Sequence, residues 1–287
     1  MSGPVVVGVD HSPGAADALA LGRWLAEARQ APLVVVVVHP APSAIGSGRV
    51  DAEWIADRHR AAERILAQAR STLGDPPGVE YRIVASSSAA HGLHDLAEQT
   101  GAAMLVVGSG AAAPAARLFA GSTAERLLAG SVCPVAVTPA GGPAAPGSAG
   151  RIGVAYVDTP DGRAALDAAA ELARRTGLPL LLVTVVAAGD AALPFLIGDD
   201  AERAFLDTAR ETYEDALRKA AASVPDVPVE WELRAGDVVE ELAALTGLDL
   251  LFCGSRGYGP ARRVLLGGVS GRMLRRAGLP LVVVPRA

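Results

Sequence analysis

The sequence repeats itself once along its length, and this duplication constrains the fold more than any other feature. Landmark glycine and proline positions recur at a spacing of 146 or 147 residues. The matched segments are Ala31-Pro32-Leu33 with Leu178-Pro179-Leu180, Gly101 with Gly247, Gly108 with Gly254, Gly121 with Gly267, and Cys133-Pro134-Val135 with Leu279-Pro280-Leu281. A chain of 287 residues is long enough for two such copies. We therefore predict two domains, residues 1–140 and 151–287, joined by a linker of Pro, Gly, Ala and Ser at 141–150.

Each copy alternates short apolar runs with segments of helical periodicity. All-apolar runs, such as Leu33–Val38 with its five consecutive valines, are typical of parallel strands that helices cover on both faces. The predicted strands are Val5–Val9, Leu33–Val38, Val79–Val84, Met104–Val107, Cys133–Thr138, Ile152–Tyr156, Leu180–Val186, Val229–Leu233, Leu250–Cys253 and Pro280–Val284. The predicted helices are Ala15–Arg29, Asp51–Leu73, His91–Thr100, Thr123–Ala129, Gly162–Thr176, Asp200–Ser223 and Val238–Leu245. The alternation predicts an α/β fold in which each domain has a five-stranded, mostly parallel sheet with helices on both faces.

A glycine-rich segment follows the apolar run Leu250–Cys253 of the second copy. It has the pattern G-x-x-G, nine residues, then G, formed by Gly254, Gly257 and Gly267, and a further helix is predicted from about Ser270. A strand, a glycine loop and a helix N-terminus bind phosphate well, because glycine lets the backbone approach the anion and free N–H groups point at it. The spacing differs from that of the P-loop and of the G-x-G-x-x-G dinucleotide motif.

Together with the duplication, this segment resembles the universal stress protein family, whose ATP-binding members carry G-2x-G-9x-G followed by Ser or Thr. The resemblance covers nearly the whole chain. It implies two tandem repeats of an adenine-nucleotide α-hydrolase-like, Rossmann-like fold. Two positions depart from the family pattern. Gly268 stands where a hydroxyl is expected, with a hydroxyl returning at Ser270, and Ala111 replaces the second loop glycine of the first copy.

In the first copy, the resemblance implies a nucleotide site at the carboxyl ends of the strands. Asp10 would lie near the adenosine, and Val37 and Val38 would contact the base mainly through the backbone. The residues implied to hold the ribose and phosphates are Gly108, Ser109, Gly121 and Ser122. Ser122 has two compatible roles, as the cap of the following helix or as a donor to a phosphate.

In the second copy, the resemblance implies a better preserved glycine loop but a different first turn. The implied nucleotide contacts in the loop are Gly254, Ser255, Arg256, Gly257, Gly267, Gly268, Val269 and Ser270. Val157 stands where Asp10 stands in the first copy, and Asp158 follows one residue later. Two interpretations are open: a local bulge brings Asp158 back to the site, or Asp158 is simply a turn residue.

The resemblance implies a cytoplasmic protein of the stress response that binds ATP or another adenine nucleotide, with Mg²⁺ brought in by the nucleotide, and has no dedicated reaction. Two alternatives stay open: a scaffold that has lost nucleotide binding, and a weak ATPase or related enzyme. For an enzyme we would expect a Lys-Ser/Thr pair or an acidic cluster in the loops, and the sequence has neither. The stretch His91-Gly-Leu-His94 does not follow the first strand, where a nucleotidyltransferase motif would stand.

Composition argues against several other classes of protein. The formal net charge is −5 and no basic run occurs, so nucleic acid is not an expected partner. No apolar run approaches about 18 residues and no cleavable signal precedes the first strand, so we expect a cytoplasmic chain that does not enter a membrane. Cys133 and Cys253 are expected to be buried thiols, and the histidines lack the spacing of a metal site.

The last predicted strand of each copy is the expected surface of association. Cys133–Thr138 and Leu281–Val284 are apolar and would be exposed edges if they were left unpaired. Pairing them with each other gives an intramolecular pseudo-dimer, and the linker is long enough to allow it. Association of two such chains into a homodimer is also compatible with the sequence.

Overall fold

The chain folds into strands and helices that alternate in both copies, as the apolar pattern predicts. The computed structural model describes residues 3–41, 48–109, 122–141, 147–148, 150–187, 199–255, 272–273, 276 and 278–285. The strands are β1 Val5–Gly8, β2 Leu33–Pro40, β3 Val79–Ser86, β4 Met104–Gly108, β5 Val135–Thr138, β6 Ile152–Ala155, β7 Leu180–Ala187, β8 Val229–Gly236, β9 Leu250–Gly254 and β10 Leu281–Val284. The helices are α1 Ala15–Arg29, α2 Gly48–Leu73, α3 Ala89–Thr100, α4 Ser122–Gly130, α5 Pro160–Thr176, α6 Asp199–Ala222 and α7 Val238–Ala243.

These strands form one ten-stranded sheet with the order β3-β2-β1-β4-β5-β10-β9-β6-β7-β8. Neighbouring strands within each copy are parallel, and the pair β5–β10 is antiparallel. The first half of the order is β3-β2-β1-β4-β5, and the second half mirrors it from β10 to β8. The mostly parallel α/β fold is therefore confirmed.

Three strands, β2, β3 and β8, run two or three residues beyond their predicted ends, and two strands begin later than predicted because of proline. The predicted strands Cys133–Thr138 and Pro280–Val284 begin in the structure at Val135 and Leu281, directly after Pro134 and Pro280. Proline has no N–H to donate to a neighbouring strand, so it stands at the start of a strand. Both prolines still accept through their carbonyls, Pro134 from Leu105 N–H and Pro280 from Leu251 N–H, each at 2.9 Å.

Helices cover both faces of the sheet, and each face has its own apolar core. On one face, α1, α2, α5 and α6 pack on alternate strand residues such as Val7, Val35 and Phe252. On the other face, α3, α4 and α7 pack on the intervening residues, such as Val6 and Leu251. The alternation follows from the two-residue period of a strand, which sends successive side chains to opposite faces.

The two copies are joined by the strands β5 and β10 and by the helices α1 and α5. In the strand pair, Ala136 lies opposite Val282 at the centre of the register, and both are fully buried. In the helix pair, Arg29 of α1 donates to Glu171 of α5 at 3.0 Å, and the Arg29 side chain is only 11% exposed. Arg175 of α5 donates to the carbonyl oxygen of Arg29 at 3.2 Å.

We predict that Val282→Asp unfolds the chain at a much lower denaturant concentration than the wild type. The new carboxylate would lie in the core at the junction of the copies without a cation partner, and an unpaired buried charge lowers the free energy of unfolding by about 3–5 kcal/mol. Urea denaturation followed by circular dichroism measures the change.

The matched control is Val132→Asp, because Val132 precedes β5 and is 53% exposed. Its effect on the free energy of unfolding should stay within about 0.5 kcal/mol. Equal denaturation midpoints for the two variants would contradict the burial of the β5–β10 junction.

Candidate functional site

The candidate site lies at the carboxyl ends of β1 and β4. These two strands are neighbours in the sheet, yet the chain leaves β1 toward β2 on its other side. Such a switch in strand order opens a crevice between the loops that follow the two strands, and ligands of open α/β sheets bind there. In the second copy, β6 and β9 form the equivalent switch.

The turn after β1 holds Asp10 at this edge of the sheet. Val9 N–H still donates to Val36 at 2.9 Å, so the strand geometry continues up to the turn. The Asp10 carboxylate then accepts a hydrogen bond from Ser12 N–H at 2.8 Å, and α1 begins at Ala15. One carboxylate oxygen therefore organises the turn, while the side chain stays exposed to solvent.

The start of α1 lies directly on the start of the first glycine loop. A Cβ atom built on Gly14 would lie 2.9 Å from both the backbone N and O of Ser109, and one built on Gly108 would lie 2.4 Å from the Gly14 carbonyl oxygen. Only glycine permits such an approach. Ser109 itself is buried, and its hydroxyl accepts from Ala140 N–H at 2.9 Å. The start of the loop is thereby held against both the start of α1 and the chain after β5.

A pocket of about 410 Å³ opens between the Asp10 turn, α1 and α2. We call it the α1–α2 pocket. Its lining comprises the turn residues Val9, Asp10, His11, Ser12 and Pro13, the α1 residues Ala15, Ala16 and Leu19, and the α2 residues Arg64, Ile65, Gln68, Ala69 and Thr72. Its volume falls within the range of small-molecule sites, and apolar walls with a few polar groups are typical of them.

The other residues expected in the first site lie on different elements and on different faces of the sheet. Val37 packs on the α1–α2 side of the sheet, whereas Val38 packs on the α3 side, where its Cγ1 would lie 2.8 Å from a Cβ built on Gly92. A contact of Val38 with a base would therefore involve its backbone. Ser122 is the first residue of α4, and Gly121 and Ala111 lie outside the described residues.

In the second copy, the residue Asp158 is engaged by its neighbours. Its carboxylate accepts from Arg163 Nε at 2.8 Å and from the Tyr156 hydroxyl at 3.3 Å. The Arg163 guanidinium, as a hydrogen-bond donor, holds the pKa of Asp158 below its ordinary value, and burial raises the pKa of Tyr156. These contacts support the interpretation of Asp158 as a turn residue.

The helix α6 shows a second difference between the copies. Leu217, Ala220 and Val224, in and after α6, are buried with the same spacing as the partly buried Leu66 and the buried Ala69 and Leu73 of α2. This spacing equates Asp215 with Arg64 and Lys219 with Gln68. Lys219 pairs with Asp215 at 2.6 Å. In the second copy, the charged groups of this region thus form an ion pair with each other.

Asp161 was missed by the sequence reasoning. It stands 147 residues after Gly14, in the first turn of α5, and its backbone lies against Gly254, where a built Cβ would be 2.8 Å from Asp161 Cβ. Asp161 is 8% exposed, and its Oδ1 has no hydrogen-bond partner among the residues that the structure describes. The sequence alignment of the two copies could have pointed to Asp161, because it places this carboxylate at the position of Gly14, the glycine that contacts the loop in the first copy.

The second glycine loop is described only at its start. Gly254 ends β9, and Ser255 N–H donates to Val284 at 2.9 Å, as Ser109 N–H donates to Thr138 at 2.8 Å in the first copy. The other expected contacts lie outside the described residues: Arg256, Gly257, Gly267, Gly268, Val269 and Ser270.

Two further features are absent from the described part of the chain. No group of three or more His, Cys, Asp or Glu side chains there is arranged to hold a metal ion. None of the helices described is both long enough and apolar enough to cross a membrane.

Comparison with known proteins supports the duplication. The model of the universal stress protein family matches residues 1–139 and again residues 149–285. The chain belongs to the universal stress protein family. It is 31% identical over 294 residues to a universal stress protein of Mycobacterium tuberculosis, covering 98% of this chain and 99% of that protein. It is 27% identical over 291 residues to one of Mycolicibacterium smegmatis, covering 98% and 96% respectively.

Solved structures resemble this universal stress protein over its full length. A universal stress protein from Archaeoglobus fulgidus matches with a TM-score of 0.71 and 18% identity, covering 100% of this chain and 97% of that chain. A protein of unknown function from Pseudomonas aeruginosa matches with a TM-score of 0.66 and 16% identity, covering 99% and 92% respectively. These likenesses confirm the tandem α/β fold.

We predict that Arg163→Gln raises the pKa of Asp158 toward the ordinary aspartate value of about 3.9. In the wild type the pair contributes stability above that ordinary pKa, and the contribution disappears as the pH falls through the lowered pKa of Asp158. A ¹³C NMR titration of the aspartate carboxyls measures the shift.

Arg23→Gln is the control for this titration, because the described contacts of Arg23 are with Glu27 on α1 and with the Leu73 carbonyl oxygen, both in the first copy. It should leave the pKa of Asp158 unchanged. An unchanged Asp158 pKa in Arg163→Gln would show that the ion pair does not form in solution.

Proposed function

We propose that this universal stress protein binds ATP or a related adenine nucleotide in its first domain and acts as a cytoplasmic regulator without a dedicated reaction. The observation that carries the proposal is the open α1–α2 pocket, whose lining includes Asp10 at the carboxyl end of β1, one of the two strands of the switch. The proposed domains are 1–140 and 151–287, with 141–150 as the linker.

The chemistry of this pocket suits a nucleoside. A carboxylate at a strand end accepts hydrogen bonds from ribose hydroxyls, and one Asp10 oxygen already fixes the turn from which it would do so. Apolar side chains from α1 and α2 offer a surface for a base. A nucleoside can therefore be held at both its sugar and its base.

In this proposal, the phosphates bind at the glycine loop. Gly108 and Gly14 bring the start of the loop against the start of α1, and α4 begins at Ser122 after the loop. Backbone N–H groups at a helix N-terminus favour phosphate, and Mg²⁺ would enter with the phosphates as their counterion.

The second domain is the weaker candidate for the same ligand. Asp158 is already paired with Arg163, and Asp215 with Lys219. Asp161 adds a buried carboxylate beside the start of the second glycine loop, where it would repel phosphate. We therefore place the nucleotide in the first domain.

The pocket lining supports binding rather than catalysis. Asp10 is the one carboxylate among its described lining residues. Enzymes of phosphoryl transfer position metal ions and a base with several such groups.

For assembly, the proposed unit is the single chain. The edge strands β5 and β10 already pair with each other, so a homodimer would have to form through other surfaces.

The test begins with freshly purified protein, which is denatured so that any released nucleotide can be identified and counted by chromatography. About one adenine nucleotide per chain is expected, and calorimetry of the emptied protein with ATP then gives the dissociation constant. No nucleotide and no ATP binding would overturn the proposal and leave the scaffold alternative.

We predict that Asp10→Asn weakens ATP binding by about 10- to 100-fold, the range for losing a hydrogen bond to a charged group. The asparagine oxygen can still accept from Ser12 N–H, so the turn should be retained. Asp158→Asn is the matched control and should bind ATP like the wild type, since Asp158 is held by Arg163. A larger loss in Asp158→Asn than in Asp10→Asn would place the nucleotide in the second domain.

A further inference from the structure

The strand β8 gives the sheet a free edge, because it stands last in the strand order and pairs with β7 alone among the described strands. The Leu180 N–H of β7 donates to the Pro228 carbonyl oxygen at 2.9 Å, and the parallel register continues from there along all of β8. In such a register, the backbone groups of the even-numbered β8 residues bond to β7. The N–H and C=O groups of Trp231, Leu233 and Ala235 therefore point outward, where another strand can pair with them.

An aromatic side chain lies uncovered beside this edge. Trp231 is near the middle of β8 and is 37% exposed. The corresponding residue of the first copy is Tyr81 of β3, and the Arg70 guanidinium of α2 lies over its ring, 4.5 Å from the centroid. The alignment of α6 with α2 places Ala221 at the position of Arg70, and an alanine is too short to cover an indole. The second copy thus leaves open what the first copy covers.

Charged side chains line the other face of β8. Because successive side chains of a strand alternate, Glu232 and Arg234 lie on the face opposite Trp231. They pair with each other at 2.8 Å and are both partly exposed. Arg234 also lies 3.7 Å from Glu241 of α7. A guanidinium has five N–H donors, so Arg234 can still bind a carboxylate from another chain.

An identical strand from a second copy of the chain fits this edge when the two strands run antiparallel about Leu233. Glu232 of each chain then lies opposite Arg234 of the other, in the kind of cross-strand pair whose side chains come closest. Together with the ion pair inside each chain, the four charges alternate in sign around a square. Trp231 lies opposite Ala235, whose small side chain leaves room for the indole.

Registers centred on the two preceding residues bring like charges together instead. Centring on Glu232 places that carboxylate opposite its own copy. Centring on Trp231 places Glu230 opposite Glu232 twice. Like charges directly opposite each other destabilise a strand pair. Charge therefore selects the register about Leu233.

We propose that the β8 edge binds the β8 edge of a second copy of this chain, antiparallel and centred on Leu233. The β3 edge at the other end of the sheet does not match itself in this way, since the corresponding register, about Ile83, would place Arg82 opposite Val84. A contact of one strand with one strand buries less than a standard interface of about 1,600 Å², so we expect a dissociation constant of about 1–100 µM.

Sedimentation velocity over a protein concentration series that brackets this dissociation constant tests the pairing in the full chain. The wild type should pass from monomer to dimer. Glu232→Arg would set arginines opposite arginines and Arg234→Glu would set glutamates opposite glutamates, so each variant alone should associate about 10- to 100-fold more weakly. An equimolar mixture of the two variants should regain dimers near the wild-type affinity, because the arginines of one chain then face the glutamates of the other.

Two further variants separate the edge contact from the fold. Arg82→Glu makes the same change beside Glu80 on β3 and should leave the dimer unaffected. Ala235→Pro removes an outward N–H and none of those that bond to β7, so the dimer should weaken while the circular dichroism spectrum stays that of the wild type.

A wild type that stays monomeric throughout the series would overturn the proposal and leave the edge to a strand of different sequence. Dimers that persist in both single variants, or monomers that persist in their mixture, would overturn it as well. Assemblies that grow beyond a dimer would also contradict it, since β8 would then pair with β3 of the next chain.

Discussion

The antiparallel pairing of β5 with β10 is the contact on which the rest of the architecture depends. Each copy alone would end its sheet in a short, mostly apolar strand with unpaired backbone groups, and such an edge is prone to pair with another strand. Joining the two edges satisfies those groups and merges each apolar face into a layer that spans both copies. The ion pair between Arg29 and Glu171 then fixes α1 against α5 on one of those faces.

The two copies share a backbone plan but differ in how their polar groups are satisfied. In the first, the Arg64 and Gln68 side chains face an open pocket beside Asp10. In the second, the corresponding region contains the pairs Asp158–Arg163 and Asp215–Lys219. A ligand that binds to unpaired groups displaces only water. A ligand that binds to paired groups must also break their ion pairs. This difference in cost favours the first copy as the binding domain.

Much of the fold was predictable because it depends on local rules. The apolar runs and the repeated glycine and proline positions predicted the strands, the helices and the duplication, and the family resemblance predicted a candidate site at the strand-end loops. The α1–α2 pocket was not predictable, since it depends on how far apart two helices pack. Nor was the engagement of Asp158, because its partners Tyr156 and Arg163 are brought to it by the geometry of the turn. Asp161 was visible in the alignment of the repeats, but its burial was not.

The fusion of the two copies has an evolutionary consequence that follows from the β5–β10 junction. When two identical chains associate about a twofold axis, every substitution appears on both sides of the contact and must be tolerated twice. Here the partners are different segments of one chain, so Ala136 can face Val282 without either residue having to match itself. Each copy could therefore accumulate its own changes while the joint stayed complementary. The first copy was free to keep an open pocket beside Asp10 while the second acquired ion pairs in the corresponding region, a difference that a symmetric pair of identical chains could not show.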